Sequence, residues 1–379
     1  MLPLYQVALL LVAAAVVLVY QGVAIVLAFR MTRLDPPAPD GLPATSRVSA
    51  IIAARNEELD LGACLDSLLA QDYPDLEILV VDGGSADGTR EVARARGPRV
   101  RLLEEPPLPD GWVGKNWACH IGARAATGSF LLFTDADVRY HPSVVRATVR
   151  WAEREGAALA TLAPRFEAVG FWEKVVLPFY AQMVLTYFRT PRVNLPRSRA
   201  AMANGQFLMV RREAYDRVGG HAAIRSAVLE DVRLAQGFRS AGLPMRVAWA
   251  PGLLTTRMYR DRHEMFEGLL KNIHGTRFSL SRQLGFLAGL VGLFWLPLLL
   301  LPFGWLNGSI LLVAVGAFLY LALFAKHAGF ARGLQLEPRY GLLFPLAVGF
   351  YVVLLTTSMA RGIARRPIAW KGREYRLET

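Results

Sequence analysis

The sequence predicts an α/β domain with a mostly parallel sheet, flanked by membrane-spanning helices towards both ends of the chain. Three observations lead to this fold class: long uncharged apolar blocks near both ends, apolar strands alternating with amphipathic helices between them, and polar loops directly after several strands. Hydrophobic residues make up 53% of the 379 residues, and mean hydropathy is +0.29, which is too apolar for an ordinary soluble domain.

Three blocks of the chain contain no charged residue: Met1–Phe29, Gln283–Ala325 and Tyr340–Ala360. The second block can hold two helices of about 20 residues each. The first block lacks a basic n-region, and its apolar stretch exceeds the roughly 7–15 residues that are usual in a signal peptide. We therefore expect an N-terminal anchor at residues 1–30 and two or three membrane helices within residues 283–360.

Basic residues next to these blocks predict the orientation of the chain. Arg30 and Arg33 directly follow the first block, so we expect a multi-pass protein of the cell membrane whose central domain is cytoplasmic. The tail, residues 361–379, is also basic, although four simple crossings would place it outside. The domain and the basic tail can both lie on the cytoplasmic side if Tyr340–Ala360 is re-entrant or interfacial and does not cross the membrane.

The net charge of +12 fits a domain that lies against anionic lipid, and we predict no nucleic-acid partner.

Between the apolar blocks, the sequence predicts a linker and one α/β domain. Residues 31–47 are rich in Pro and polar groups, as linkers are, and the domain is expected over residues 48–280. Apolar runs predict strands at Val48–Ala53, Leu76–Val81, Val100–Leu103, Phe130–Thr134 and Ala157–Ala163. Helical spacing predicts helices at Glu58–Ala70, Thr89–Arg96, Asn116–Ala126 and Pro142–Glu155. The apolar stretch 171–188 is either a core helix or an interfacial one.

Polar loops follow three of the predicted strands, at the edge of the sheet where parallel sheets bind ligands. Arg55 and Glu57 follow the first strand, VVDGGSADGT ends the second from Val80 onwards, and Asp135 and Asp137 follow the fourth. Residues two apart in an extended segment point to the same side, so the last two can face one metal ion. Hard dications take one or two carboxylates together with substrate phosphates. An isolated Asp-x-Asp also caps helices, but its position after an apolar strand favours the metal.

The order ARNEE, VVDGGSADGT, TDAD and LED resembles the family 2 glycosyltransferases, whose domain has the GT-A fold. The stretch GWVGKNWA from Gly111 resembles a membrane-bound branch that includes hopanoid- and carotenoid-associated glycosyltransferases and, more distantly, ceramide glucosyltransferase. The resemblance covers about residues 48–275. It implies a Rossmann-like domain that binds a nucleotide-sugar donor with Mg²⁺ or Mn²⁺, and an inverting transfer of a hexose.

The resemblance also implies which residues bind the donor. Asp82 would contact the base or ribose, and Gly83 stands where the family usually has a second Asp. Lys115 would meet the diphosphate as a point charge, unless it is a solvated surface lysine. Arg257 and Arg260 would bind phosphate oxygens bidentately. The donor residues are then Ala53, Arg55, Glu57, Asp82, Lys115, Asp135, Arg257 and Arg260, with Asp135 and Asp137 as the metal ligands.

Asp231 of Leu229-Glu230-Asp231 matches the general base of the family. A single displacement needs a base at the acceptor oxygen, opposite the leaving diphosphate, and it inverts the anomeric configuration. Outside this family context, the acidic pair would simply cap the helix Val232–Ser240. The acceptor side is expected to include Asn204, Gly205, Gln206, Glu230, Trp370 and Arg373. For Trp370 and Arg373, a lipid-facing basic tail is the alternative.

The leading hypothesis is sugar transfer from a nucleotide sugar, with UDP favoured, to a lipid of the isoprenoid, carotenoid, hopanoid, glycerolipid or sphingolipid type. A polyprenyl-phosphate sugar synthase is an alternative that would need cations beside the acceptor. A polysaccharide synthase is disfavoured because Arg257-Met258-Tyr259-Arg260 lacks the Trp of polymer-making members. A lipid-binding scaffold with a decayed transferase domain is the non-enzyme alternative, and the intact carboxylates argue against decay.

Overall fold

The computed structural model describes residues 4–37, 46–276, 279–364, 368–370 and 373–375. The helices are α1 Leu4–Phe29, α2 Leu61–Leu69, α3 Thr89–Arg94, α4 Gly114–Ala125, α5 Val144–Arg154, α6 Phe171–Tyr187, α7 Arg212–Arg217, α8 Gly220–Ala223, α9 Glu230–Ser240, α10 Arg262–Gly275, α11 Leu280–Leu290, α12 Leu296–Leu306, α13 Ile310–Gly333 and α14 Phe344–Ile363. The strands are β1 Val48–Ala54, β2 Leu76–Asp82, β3 Val100–Glu104, β4 Phe130–Thr134, β5 Val138–Tyr140, β6 Leu159–Ala163, β7 Arg165–Phe166, β8 Leu208–Arg211, β9 Met245–Trp249, β10 Leu254–Thr256, β11 Ile368–Trp370 and β12 Arg373–Tyr375.

A seven-stranded sheet with the order β3-β2-β1-β4-β8-β6-β9 forms the centre of the domain. Strands β1 to β4 run parallel, as do β6 and β9, whereas β8 is antiparallel to both of its neighbours. The predicted α/β fold with a mostly parallel sheet is confirmed, and each predicted strand exists with nearly the predicted bounds. Strand β8 was not predicted, because four residues are too few to show a period.

Both faces of the sheet are buried, which explains why its strands are continuous apolar runs. On one face, Ala50 and Ile52 of β1 pack in the same core as Leu65 of α2. On the other face, Ile51 packs in a core with Ala118 of α4 and with residues of α9. Helices α2, α4 and α9 are therefore fixed to the sheet by apolar packing.

A second, three-stranded sheet has the order β5-β10-β7 and lies next to the Asp-x-Asp segment. Strand β10 is antiparallel to β5, with Thr256 opposite Val138. Because Val138 directly follows Asp137, this pairing brings Thr256 to the predicted metal ligands. It connects two segments that lie far apart in the sequence.

In the part of the chain that the structure describes, four helices are long and apolar enough to cross a membrane: Leu10–Phe29, Leu280–Leu306, Ile310–Gly333 and Pro338–Ile363. They include the predicted N-terminal and C-terminal apolar helices, and they support an association with the membrane. The second contains a π-helical turn at Val291–Trp295, between α11 and α12.

Helix α6, for which the sequence allowed two interpretations, lies between the domain and the apolar helices. It packs against α1, α10, α13 and α14. Val176 and Phe179 are fully buried, whereas Phe171 and Tyr187 near its ends are exposed. The stretch is therefore a core helix over most of its length, with exposed aromatic side chains at both ends.

Candidate active site

Strand β4 carries the two predicted metal ligands to the edge of the sheet. All five of its residues are buried, and Asp135 and Asp137 follow directly after it. The Asp135 Oδ1 lies 2.6 Å from the Lys115 Nζ, and the Asp137 Oδ2 accepts a hydrogen bond of 3.1 Å from the Thr256 hydroxyl. Both residues line one cavity, although they lie in the turn between β4 and β5 and not in the extended segment that the sequence predicts.

Lys115, at the start of α4, connects two of the predicted site segments. Its Nζ lies 2.6 Å from the Asp135 carboxylate and also 2.6 Å from the Glu230 Oε1. Burial alone would lower the pKa of Lys115, but these two carboxylates raise it well above its usual value. The lysine is therefore charged at neutral pH, and it is not a solvated surface residue.

Asp231 lies in the first turn of α9 and is held by two backbone N–H groups. Gly205 N–H donates to its Oδ2 at 2.9 Å, and Val232 N–H donates to its Oδ1 at 2.7 Å. Burial and the neighbouring Glu230 nevertheless raise the pKa of Asp231 to about 6, against the opposing effect of Lys115. A carboxylate with a pKa close to neutral suits a group that exchanges protons with a substrate.

Gly205 lies where the three charged side chains meet. A Cβ atom at this position would stand 3.0 Å from the Lys115 Nζ, 3.1 Å from the Glu230 Oε1 and 3.5 Å from the Asp231 Oδ2. Its neighbour Gln206 donates from Nε2 to the Thr256 hydroxyl at 3.1 Å. A glycine is needed here because the site closes around its backbone.

One cavity of about 960 Å³ joins these charged groups to the apolar helices. Asn204, Gly205 and Gln206 line it together with Lys115 and the four carboxylates of Asp135, Asp137, Glu230 and Asp231. Apolar residues such as Phe29 of α1, Met183 of α6 and Phe330 of α13 line it as well. The cavity therefore connects an acidic site with an apolar space between helices that are able to enter a membrane.

The loops after β1 and β2 hold each other in place beside this site. The Arg55 guanidinium donates to the backbone carbonyls of Gly83 and Gly84. Hydrogen bonds from Arg90 and from the Ser85 backbone lower the pKa of the buried Asp82, although burial alone would raise it. Ala53, Arg55, Glu57 and Asp82 do not line the cavity described above. Their role at the nucleotide stays a prediction.

The two predicted phosphate-binding arginines both pair with carboxylates. Arg257 contacts the buried Glu173 at 3.1 Å, and Arg260 contacts Asp60 at 2.6 Å. Neither arginine lines the cavity. Their contact with a diphosphate stays a prediction, and it requires them to leave or share these partners.

Two predicted acceptor-side residues lie at the end of the chain. The backbones of Trp370 and Arg373 pair in the antiparallel ribbon of β11 and β12. Their side chains lie outside the part of the structure that is described, so the prediction for them is unchanged.

A family model for "Glycosyl transferase family 2" matches residues 49–219. The 4,4'-diaponeurosporenoate glycosyltransferase of Staphylococcus haemolyticus is 29% identical over 235 residues, which cover 60% of this chain and 61% of that protein. The protein of the same name from Staphylococcus aureus strain MRSA252 is 26% identical over 347 residues, 87% of this chain and 88% of that protein. Residues 49–219 are a family 2 glycosyltransferase domain.

A solved structure supports the GT-A fold of this domain. The mannosyltransferase PcManGT from Pyrobaculum calidifontis, solved with GDP-Man and Mn²⁺, superposes with a TM-score of 0.55 at 19% identity. The match covers 94% of this chain and 99% of that chain, so the similar fold includes most of the apolar helices. The resemblance inferred from the sequence motifs is confirmed.

The glycosyltransferase site fits a metal that the substrate helps to bind. Among the residues that the structure describes, no group of three His, Cys, Asp or Glu side chains is arranged to hold a metal alone. Asp135 and Asp137 supply hard oxygen ligands that face the cavity. Mg²⁺ or Mn²⁺ typically takes one or two protein carboxylates and completes its shell with water and phosphate oxygens. The two carboxylates are therefore suited to a metal ion that also binds a diphosphate.

Three residues of the glycosyltransferase site were not identified from the sequence. Thr256 bonds to Asp137, and Asn116 Nδ2 contacts the backbone oxygens of Ile224 and Ala227 at 2.8 and 3.0 Å, which fixes α4 to the segment before α9. Both are polar residues within regular elements, where no local pattern marks them. Lys271 also lines the cavity, and no pattern in the sequence marks it, because α10 carries several other charged residues such as Glu264 and Glu267.

Proposed function

We propose that this membrane-associated glycosyltransferase moves a sugar from a nucleotide-sugar donor to a lipid acceptor, with inversion at the anomeric carbon. The observation that supports it best is the continuous cavity between the four carboxylates and the apolar helices. A soluble acceptor would not require such a space, whereas an apolar chain buried there gains about 25 cal/mol per Å². The relatives named for diaponeurosporenoate suggest an isoprenoid or carotenoid acceptor.

The residues of the site divide into two groups. Asp135 and Asp137 would hold Mg²⁺ or Mn²⁺, which neutralises charge on the departing diphosphate when it is bound. Lys115 keeps Asp135 and Glu230 at fixed positions beside it. Asp231 accepts a proton from the acceptor, and the Gly205 and Val232 N–H groups orient its carboxylate. We place the domain on the cytoplasmic side of the cell membrane, because Arg30 and Arg33 follow the first apolar helix.

Release of nucleoside diphosphate by the purified full-length chain in detergent tests this function. UDP-glucose and GDP-mannose serve as donors, and geranylgeraniol, geranylgeranoic acid and geranylgeranyl phosphate serve as acceptors. We expect a glycosylated lipid, detected by mass spectrometry, that requires Mg²⁺ or Mn²⁺ and disappears with EDTA. Asp137→Asn and Asp231→Asn should each lower the rate by about a hundredfold or more.

Asp216→Asn is the matched control, because Asp216 is an exposed aspartate away from the cavity. It should transfer sugar at the wild-type rate. If the Asp137 and Asp231 variants also keep the wild-type rate, these residues do not have the proposed roles. If the wild-type chain glycosylates none of the lipids with either donor, the proposed lipid transfer is wrong.

A further inference from the structure

The segment that follows α6 has no role in the metal site or at the proton acceptor. Residues 189–199, which we call the basic segment, contain four arginines, and all of them are exposed: Arg189, Arg192, Arg197 and Arg199. No aspartate or glutamate occurs between residues 174 and 212. The charge of the basic segment is therefore not balanced by acidic neighbours in the sequence.

The charge of the basic segment is not balanced by contacts either. In the part of the chain that the structure describes, none of its four arginines forms an ion pair with a carboxylate. Exposed arginines elsewhere do form such pairs, and Arg33, for example, contacts Asp35 at 2.7 Å. Exposed charges of one sign repel each other and raise the local potential, so the basic segment is suited to an anionic partner.

The basic segment lies at the end of α1, the first apolar helix. Asn194 Nδ2 donates to the Thr32 hydroxyl at 2.8 Å, and Thr32 lies three residues after Phe29, the last residue of α1. Helix α1 is able to cross a membrane, so this contact holds the basic segment where the helix leaves the bilayer. Leu195 and the preceding Tyr187 are exposed as well. Arginines next to exposed apolar and aromatic side chains are typical of a surface that lies on a membrane.

A small cavity of about 290 Å³ lies beside the basic segment. Arg197 lines it, together with Arg239 of α9 and Arg246 of β9. The Arg239 guanidinium donates to the backbone oxygen of Val193 at 2.6 Å, and Arg246 contacts Glu155 at 3.1 Å. Burial and the charge of Arg246 lower the pKa of Arg239, as expected where cations outnumber carboxylates. The cavity is therefore suited to an anion with several oxygen atoms, such as a phosphate group.

We propose that the basic segment docks on anionic phospholipids of the leaflet that faces the domain, and that the phosphate of one such lipid binds in the small cavity at Arg197. Each arginine near an anionic membrane surface contributes roughly a fivefold preference for that surface. Tyr187 and Thr190 line the large cavity of the charged site, so this docking fixes one wall of that cavity at the headgroups. The inference requires a membrane but does not require the proposed sugar transfer.

Hydrogen–deuterium exchange of the full-length chain in lipid nanodiscs tests the inference, because it reports on the basic segment itself. One kind of disc contains phosphatidylcholine alone, and the other contains equal parts of phosphatidylcholine and phosphatidylglycerol. We expect the backbone amides of residues 189–199 to exchange about threefold or more slowly in the anionic discs. High salt should reduce this difference, because it screens exposed charges.

Variants of the basic segment separate its charge from its shape. Arg189→Asn, Arg192→Gln, Arg197→Gln and Arg199→Gln together should abolish the difference between the two kinds of disc. Asparagine suits position 189, because the φ of 49° there is left-handed and asparagine adopts it readily. Lysine substitutions at the same four positions should keep most of the difference, because they keep the charge. Arg197→Gln alone should reduce it more than Arg199→Gln alone, since only Arg197 lines the small cavity.

Arg124→Gln combined with Arg217→Gln is the matched control, because both arginines are exposed at the other end of the sheet. Arg124 precedes β4 and Arg217 follows β8, and the adjoining strand ends pair there, with Phe130 opposite Arg211. The control should keep the wild-type difference.

Equal exchange of the basic segment in both kinds of disc overturns the inference, and so does a charge-free variant that keeps the difference. Equal protection in neutral discs by inorganic phosphate or by a DNA oligonucleotide would assign the basic segment to soluble anions and would overturn it too. No result depends on catalysis, so the proposed function stands or fails separately.

Discussion

Gly205→Ala tests whether the site depends on the close meeting of Lys115, Glu230 and Asp231. The added methyl would stand 3.0 Å from the Lys115 Nζ and 3.1 Å from the Glu230 Oε1, which is closer than Cβ atoms usually approach their neighbours. The ends of both side chains must therefore move away by a few tenths of an ångström. Gly205 is not among the glycines with positive φ, so alanine fits its backbone.

A displacement of about 1 Å in a catalytic site costs on the order of a hundredfold in rate, so a shift of a few tenths of an ångström should lower kcat by about threefold to tenfold. Stability should change little, because the moving atoms are ends of flexible side chains, and alanine lowers the entropy of the unfolded chain by the equivalent of about 0.4–1 kcal/mol. The assay is steady-state release of nucleoside diphosphate, with the melting temperature measured in the same detergent.

Gly285→Ala is the matched control, because a Cβ at Gly285 on α11 would meet no atom within 4 Å. It should keep the wild-type kcat. A kcat within twofold of wild type for Gly205→Ala, at an unchanged melting temperature, would refute the idea that these three charged atoms must keep their present positions.

Two further predictions concern stability in the absence of metal and donor. Because the pKa of Asp231 is raised to about 6, its ionisation destabilises the folded chain as pH rises from about 4 to about 6, by up to about 3 kcal/mol. Asp231→Asn should therefore raise the melting temperature more at pH 7 than at pH 4, and an equal change at both would contradict the raised pKa. Arg257→Met leaves the buried Glu173 unpaired and should cost about 3–5 kcal/mol of stability. Adding Glu173→Gln should recover part of that loss, and an unchanged melting temperature of the single variant would show that the pair is not needed.

Local patterns were sufficient to predict the parts of the site that depend on one strand and the loop after it. Asp135 and Asp137 line the same cavity because they directly follow β4, in the short turn that leads from β4 to β5. The predicted strands formed because each is a short apolar run in a sheet that is buried on both faces. Each of these strands is determined by a few consecutive residues, so its position can be predicted from the sequence alone.

Contacts between distant segments were not predictable in the same way. Lys115 meets Glu230 only because β8 runs antiparallel in the sheet and α9 then packs on the same face as α4. Thr256 reaches Asp137 through the pairing of β10 with β5. Arg257 was assigned to a phosphate from its motif, and its pairing with Glu173 of α6 depends on a helix whose environment the sequence left open. Such pairings follow from tertiary packing, which overrides local preference.

Helix α14 decides on which side of the membrane the basic tail lies, and its contacts favour one answer. Before it, Gln335 accepts a hydrogen bond of 2.7 Å from Arg165 of β7. At its other end, Arg361 pairs with Glu267 of α10 at 3.1 Å. Both flanks of α14 thus contact the glycosyltransferase domain, so we expect this helix to lie along the domain in the interface, although it is long and apolar enough to cross. We therefore predict that the basic tail lies on the same side of the membrane as the domain, in agreement with the positive-inside rule.

Single cysteines that flank α14 test this topology in sealed membrane vesicles. Glu337→Cys and Ala364→Cys are exposed positions before and after the helix, and Asn307→Cys in the turn between α12 and α13 is the reference for the opposite side. The native Cys64 and Cys119 are buried, so background labelling by a membrane-impermeant maleimide should be low. We expect positions 337 and 364 to label from the same side and position 307 from the other. If position 364 labels together with position 307, α14 crosses the membrane, and the contact between Arg361 and Glu267 does not persist in the bilayer.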